Sequence, residues 1–137
     1  MPYYVPTLTK LIADLYSPYS AAIHIRTEID PVRLGIDRAL PCALILNELV
    51  SNAFRHAFPG GKKGSVFICL KRLSQIRRLR LEVSDTGCGL PEFFDPAEGR
   101  TLGMQIVNIL VRQIGGEFVW ERGSQTTFAI TFPAEDK

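Results

Sequence analysis

Cysteine is scarce in this 137-residue chain: Cys42, Cys69 and Cys88 are an odd set with no CxxC spacing, and there are only two histidines. This excludes a disulfide scaffold and the usual four-ligand zinc sites. Reduced thiols point to a cytoplasmic setting. No apolar run approaches the length needed to span a bilayer. Met1 is followed by Pro2-Tyr3-Tyr4 rather than by a basic stretch and an apolar core, so neither a signal peptide nor membrane contact is expected. Charge of one sign is also missing: 16 basic and 14 acidic side chains leave +2, a balance that recruits no polyanion by bulk field. Repeats and low-complexity tracts are absent. What is present, 46% apolar and 22% charged residues, is the composition of a folded globule. The length predicts one domain over residues 1–137.

The pattern along the chain predicts the elements. Leu8, Leu11, Ile12 and Leu15 have helical spacing within Thr7 to Tyr16. Ile23, Ile25, Thr27 and Ile29 alternate with His24, Arg26, Glu28 and Asp30, which predicts a half-buried strand. A short second strand is expected over Val32 to Ile36. Asp37 to Phe58 reads as a central helix, with Asp37 as its cap and Pro41 in or near the first turn. That helix is apolar over most of its girth (Leu40, Ala43, Leu44, Leu46, Leu49, Val50), so it is expected to be largely buried. Ser65 to Leu73 and Arg78 to Ser84 pair as strands, with Leu79, Leu81 and Val83 facing in. Asp85 to Thr101 is a long loop broken by Gly87, Gly89, Pro91, Pro96 and Gly99; such loops are usually functional or mobile. Leu102 to Ile114 is helical, with apolar Ile106, Ile109, Leu110 and Ile114, and Gly115-Gly116 stops it. Glu117 to Glu121 and Thr126 to Phe132 form a final hairpin. Strands outnumber helices and are mostly hairpin neighbours. The predicted fold is α+β: a two-layer sandwich, with a mixed, mostly antiparallel sheet and helices packed on one face.

Four stretches carry possible chemistry. On the central helix, Glu48, Asn52, Arg55, Ser51 and His56 gather on one stripe. A solvated face is the ordinary explanation, but such faces favour Lys, Glu and Gln, whereas Asn and His are poorer helix formers. A carboxylate and an amide one turn apart are hard oxygen donors suited to Mg²⁺ or its waters, and a guanidinium beside them suits a phosphate. Next comes Asp85-Thr86-Gly87-Cys88-Gly89 directly after a strand. Its glycines let backbone approach a flat ligand, and a carboxylate there accepts from an exocyclic amino group, as on adenine, while repelling the guanine oxygen. By itself this segment also reads as an Asx-capped turn. The third stretch opens a helix with Leu102-Gly103. A glycine early in a helix costs about 1 kcal/mol against alanine, and close approach of an anion to the free N–H groups accounts for it. The fourth, Gly123 to Phe128 with Thr126 and Thr127, reads alone as a hairpin turn.

In this order, the four stretches resemble the ATP-binding catalytic domain of sensor histidine kinases, within the superfamily of gyrase, heat-shock chaperone and mismatch-repair ATPases. Asn47-Glu48-Leu49-Val50-Ser51-Asn52-Ala53-Phe54-Arg55-His56-Ala57-Phe58 looks like the N box. Asp85 to Leu90 looks like the first glycine box. Thr101 to Val107 looks like the second, with one glycine where the family usually offers two or more, and Thr126 to Pro133 looks like the closing strand. The resemblance implies that Asn52 holds Mg²⁺, that Glu48 orients water or takes a proton, and that Arg55 and His56 touch phosphates. It implies that Asp85 binds the adenine amino group with Gly87 and Gly89 admitting the base, and that Thr126 or Thr127 supports Asp85. Leu102, Gly103 and the neighbouring N–H groups would cradle phosphate, and a lid would span about residues 90–101.

The implied reaction is transfer of the ATP γ-phosphoryl to a histidine. No phosphoacceptor segment is found here: His24 lies on a strand's polar face and His56 belongs to the N box. The acceptor is therefore expected on a dimerisation domain outside this chain, with a response regulator downstream. A nucleotide-binding regulatory module without transfer activity, or a serine kinase acting on a partner protein, uses a similar pocket. Lys62, Lys63, Lys71, Arg72, Arg77, Arg78 and Arg80 lie close in sequence, but no aromatics interleave them. A solvated rim is expected there rather than a nucleic-acid surface.

Overall fold

A computed structural model describes residues 3–4, 10, 23–54, 64–87, 102–121 and 125–134. The helix expected over Thr7 to Tyr16 lies outside them, apart from Lys10. Strands β1 (Tyr3–Tyr4) and β3 (Arg33–Leu34) pair antiparallel as a small separate ribbon. The main sheet has five strands: β2 (Ile23–Ile29), β4 (Gly64–Leu73), β5 (Arg78–Asp85), β6 (Glu117–Glu121) and β7 (Thr126–Pro133), in spatial order β2-β4-β5-β7-β6. Among the described strands, only the β2–β4 pair is parallel. It requires a crossover, and α1 (Ile36–Asn52) lies within that connection. The described part of the chain is thus the expected mixed, mostly antiparallel sheet.

Register fixes which face is covered. Val66, Ile68 and Leu70 of β4, Leu79, Leu81 and Val83 of β5, and Phe128, Ile130 and Phe132 of β7 share one face and are buried. They meet Ile45, Leu46, Leu49 and Val50 of α1, and Val107 and Val111 of α2 (Leu102–Gln113), in one core. Both helices lie on this face, side by side. The opposite face carries polar pairs: Arg80 binds Glu82 at 2.5 Å, and the Ser84 and Thr127 hydroxyls bond at 3.1 Å. Arg26 stands over the Phe67 ring. Two arginines of the β4–β5 hairpin bind neighbouring backbone. Arg72 donates to the Pro31 carbonyl at 3.2 Å, and Arg78 to that of Thr131 at 3.3 Å.

Three sequence expectations for the helices are corrected. The cap of α1 is Gly35, with no side-chain hydrogen bond; Asp37 sits in the first turn, where its charge still complements the helix dipole. Because the helix begins before Asp37, Pro41 falls inside it and removes an interior hydrogen bond rather than an orphan donor. Burial of α1 is one-sided: Leu40 and Leu44 are 53% and 47% exposed, since neither the sheet nor α2 covers that flank. On α2, Ile106 and Ile109 likewise face outward, while Met104, Val107 and Val111 face in. Gly115 stops α2 as expected, at φ +70°. Its N–H bonds the Arg112 carbonyl at 3.0 Å, and that of Gly116 bonds the Val111 carbonyl at 2.9 Å, a Schellman ending that only glycine adopts without strain.

Candidate functional site

The stripe on α1 ends against the first turn of α2. A Cβ built on Gly103 would stand 2.4 Å from both Cδ and Oε1 of Glu48, a distance no side chain tolerates. Gly103 has no left-handed φ, so backbone freedom is not the reason for a glycine there. Space is the reason: the Glu48 carboxylate occupies the place of the missing side chain. One turn further along α1, Asn52 donates from Nδ2 to Sδ of Met104 at 3.4 Å. The start of α2 therefore touches both Glu48 and Asn52 of the stripe. Leu102, the first residue of α2, is 72% exposed. At its C-terminal end α1 continues through a π-type turn at Ala53–Phe54, a helix form that is rare outside functional sites. Arg55 and His56 lie outside the described residues.

A second group forms at the end of β5. Odd-numbered residues of this strand face the helices, and Asp85 is the last of them, 5% exposed. Thr126 of β7 lies directly opposite it in the ladder, on the same face, and is 3% exposed. Thr127 pairs with Ser84 on the other face, so register brings Thr126, not Thr127, to Asp85. The exit of β5 is clamped by reciprocal bonds. Thr86 N–H donates to the Ser65 carbonyl at 3.1 Å, and Ser65 N–H donates to Thr86 Oγ1 at 3.0 Å. Gly87 then turns back so that its N–H donates to Asp85 Oδ1 at 2.9 Å. Gly89, Cys88 and the residues expected to form the lid lie outside the described residues.

Among the described residues, Gly87 N–H is the one hydrogen-bond donor to Asp85. Burial pushes the Asp85 carboxyl above the usual aspartate range, and the Gly87 bond offsets part of that rise. A buried carboxylate with a single donor has capacity for another N–H. The described cysteines have no such poise: burial pushes the Cys42 thiol up to about 12, against the lowering effect of Arg38.

Reading the sequence missed Met104 and Ser65. Met104 reads only as part of the second glycine box, with no role of its own, and nothing local marks a serine at the start of a strand as a clamp.

Two consequences are measurable. The Asp85 carboxyl holds its proton more tightly in the folded than in the unfolded chain. Stability therefore falls as pH rises through the window between the two values, and above that window the buried charge is a standing cost. Asp85→Asn keeps an oxygen for the Gly87 N–H. It is expected to raise the unfolding free energy at neutral pH by roughly 1–2 kcal/mol and to flatten that acid-side slope in urea titrations. Gly103→Ala regains about 1 kcal/mol of helix propensity but must displace the Glu48 carboxylate. It is expected to stabilise the Glu48→Ala background by about that amount and to gain little or nothing with Glu48 present. Equal gains in both backgrounds would mean that residue 103 does not feel the carboxylate.

Comparison with known proteins identifies the family and the fold. Residues 37–136 match the family described as histidine kinase-, DNA gyrase B-, and HSP90-like ATPase. The chain is 37% identical over 103 residues to the sensor histidine kinase PdtaS of Mycobacterium tuberculosis, covering 71% of this chain and 20% of that protein. It is 36% identical over 107 residues to blue-light-activated histidine kinase 2 of Erythrobacter litoralis, covering 77% of this chain and 30% of that one. The histidine kinase domain of the Erythrobacter litoralis EL346 blue-light-activated kinase superposes with a TM-score of 0.84 at 30% identity, covering 92% of this chain and 58% of that one. The chain thus spans 20% to 30% of the length of these two curated relatives. No helix among the described residues is long and apolar enough to cross a membrane. With the carboxylate at the end of β5 and the stripe of α1 meeting the first turn of α2, the chain belongs to the histidine kinase-, DNA gyrase B- and HSP90-like ATPase family, as an ATP-binding catalytic domain of the histidine-kinase kind.

Proposed function

We propose that this domain binds ATP with Mg²⁺ and transfers the γ-phosphoryl group to a histidine on a separate dimerisation domain, from which a response regulator is charged. The observation that carries this reading is Asp85: buried, opposite Thr126, and, among the described residues, holding one donor where a carboxylate can take more. The adenine amino group supplies that donor, whereas guanine presents an oxygen at the same position. Thr126 supports the Asp85–adenine contact from the neighbouring strand. The opening N–H groups of α2 face phosphate. Arg55 and His56 add charge beside it.

Magnesium fits the residues available. Among the described residues no three His, Cys, Asp or Glu side chains gather into a self-sufficient metal site. Mg²⁺ that accompanies a nucleotide keeps several waters and takes few protein ligands besides the phosphates, so one hard amide oxygen fits that role. Asn52 supplies the amide oxygen, and the ion, when bound, offsets the charge spread over the phosphates. The remaining work is positioning. A neutral imidazole nitrogen of the acceptor attacks the γ-phosphorus, the bond to the β–γ bridging oxygen breaks, and ADP leaves. The Glu48 carboxylate takes the proton that the acceptor ring gives up.

Calorimetry with ATP, GTP and Mg²⁺ tests the binding half. Wild type is expected to prefer ATP over GTP by at least about tenfold, and Asp85→Asn to lose measurable ATP binding; equal affinity for the two purines would overturn the assignment. Phosphotransfer to a matching acceptor domain tests the other half. Glu48→Gln is expected to cut transfer by roughly 10²-fold while changing ATP affinity less than about threefold. Intact binding with no transfer by wild type would instead identify a regulatory nucleotide-binding module.

A further inference from the structure

The contact between Asn52 and Met104 assigns a role that the motifs do not contain. An amide side chain has two ends, and only its oxygen can serve a metal. Rotating the Asn52 amide by half a turn would offer N–H groups instead. A thioether sulfur accepts hydrogen bonds and cannot donate them, so a buried sulfur beside the amide tells the two ends apart. Met104 is 2% exposed, and its Sδ lies 3.4 Å from Nδ2 of Asn52. The nitrogen is held at the sulfur, and the oxygen is directed away from it. The reversed amide would set its oxygen and the buried sulfur, two lone-pair-bearing atoms, against each other. Met104 is delivered there by the first turn of α2, next to Gly103, whose missing side chain admits Glu48.

We propose that Met104 is a positioning residue: its sulfur fixes the flip state of the Asn52 amide and so presents the oxygen for Mg²⁺ in advance of nucleotide. The proposal rests on the reading of Asn52 as the metal-holding residue. It adds that the affinity of the metal-bound nucleotide depends on a side chain that touches neither metal nor nucleotide. The physical basis is population: binding is weakened by the fraction of time that the amide presents its wrong end or swings out of place.

The test uses Met104→Leu, which keeps volume and apolar character and removes the acceptor. ADP binding is measured by calorimetry with Mg²⁺ and again with a chelator present. The expected result is a loss of roughly 3- to 10-fold in affinity for ADP with Mg²⁺ and a change within about 1.5-fold for ADP alone. A packing role would weaken both equally, and an incidental contact would weaken neither; either outcome overturns the proposal. Wild type separates this failure from that of the underlying reading. If Mg²⁺ does not tighten ADP binding by wild type, Asn52 does not hold the metal and both fall. If it does, and Met104→Leu keeps the same Mg²⁺ dependence, only the role of Met104 falls. Should Met104→Leu not fold, nuclear magnetic resonance on wild type decides. The Asn52 side-chain amide protons, assigned by their disappearance in Asn52→Asp, should give cross-relaxation peaks to the Met104 methyl and γ protons, and their absence would overturn the proposal.

Discussion

The part of the site that α1 carries depends on its contact with the start of α2. A β-carbon at residue 103 would fall on the Glu48 carboxylate, the far end of a flexible side chain, which must shift to make room. The same approach brings the Met104 sulfur to the Asn52 amide one turn later. A larger residue at 103 displaces the carboxylate, and a different side chain at 104 loosens the amide. The glycine of the second box thus has a steric explanation within the protein itself, before any phosphate is considered. The two explanations are compatible, since an uncluttered helix start both admits Glu48 and leaves backbone N–H groups open to an anion.

The second constraint is electrostatic. Asp85 closes the helix-covered face of β5 with a charge that burial disfavours. Its neighbours on that face, Leu81 and Val83, are there for packing, and an apolar residue at 85 would extend the core further. On the proposed reading of Asp85, the free energy of keeping a carboxylate there is a stability cost carried for recognition. The clamp between Thr86 and Ser65 and the bond from Gly87 hold the end of the strand in place so that the carboxylate does not relax into solvent.

Much of this was legible in the residues, for identifiable reasons. Period-two alternation in Ile23 to Ile29 and Arg78 to Ser84 marks strands with one wet face, and the register bears this out. Gly115-Gly116 has a helix-ending signature that depends on backbone alone. The misreadings came from judging exposure by composition. Leu40 and Leu44 are apolar, but their flank of α1 faces neither the sheet nor α2, which no one-dimensional pattern encodes. Asp37 is a good capping residue two positions from the true cap. Thr126 and Thr127 could be told apart only through the alternation of β7 against β5, which requires the pairing to be known. Met104 was invisible as a partner of Asn52 because nothing about a methionine at helical spacing announces an acceptor.

The lone parallel pairing has a consequence for how the chain assembles. Among the described strands, the parallel β2–β4 pairing encloses β3 and α1, whereas the β4–β5 and β6–β7 hairpins close from nearby sequence. Local pairings form early, and those that enclose long stretches of chain wait. The helix bearing Glu48 and Asn52 is therefore anchored on its N-terminal side by the seam that zips late, and a chain caught midway in assembly would hold an intact hairpin sheet while its catalytic helix was still unmoored.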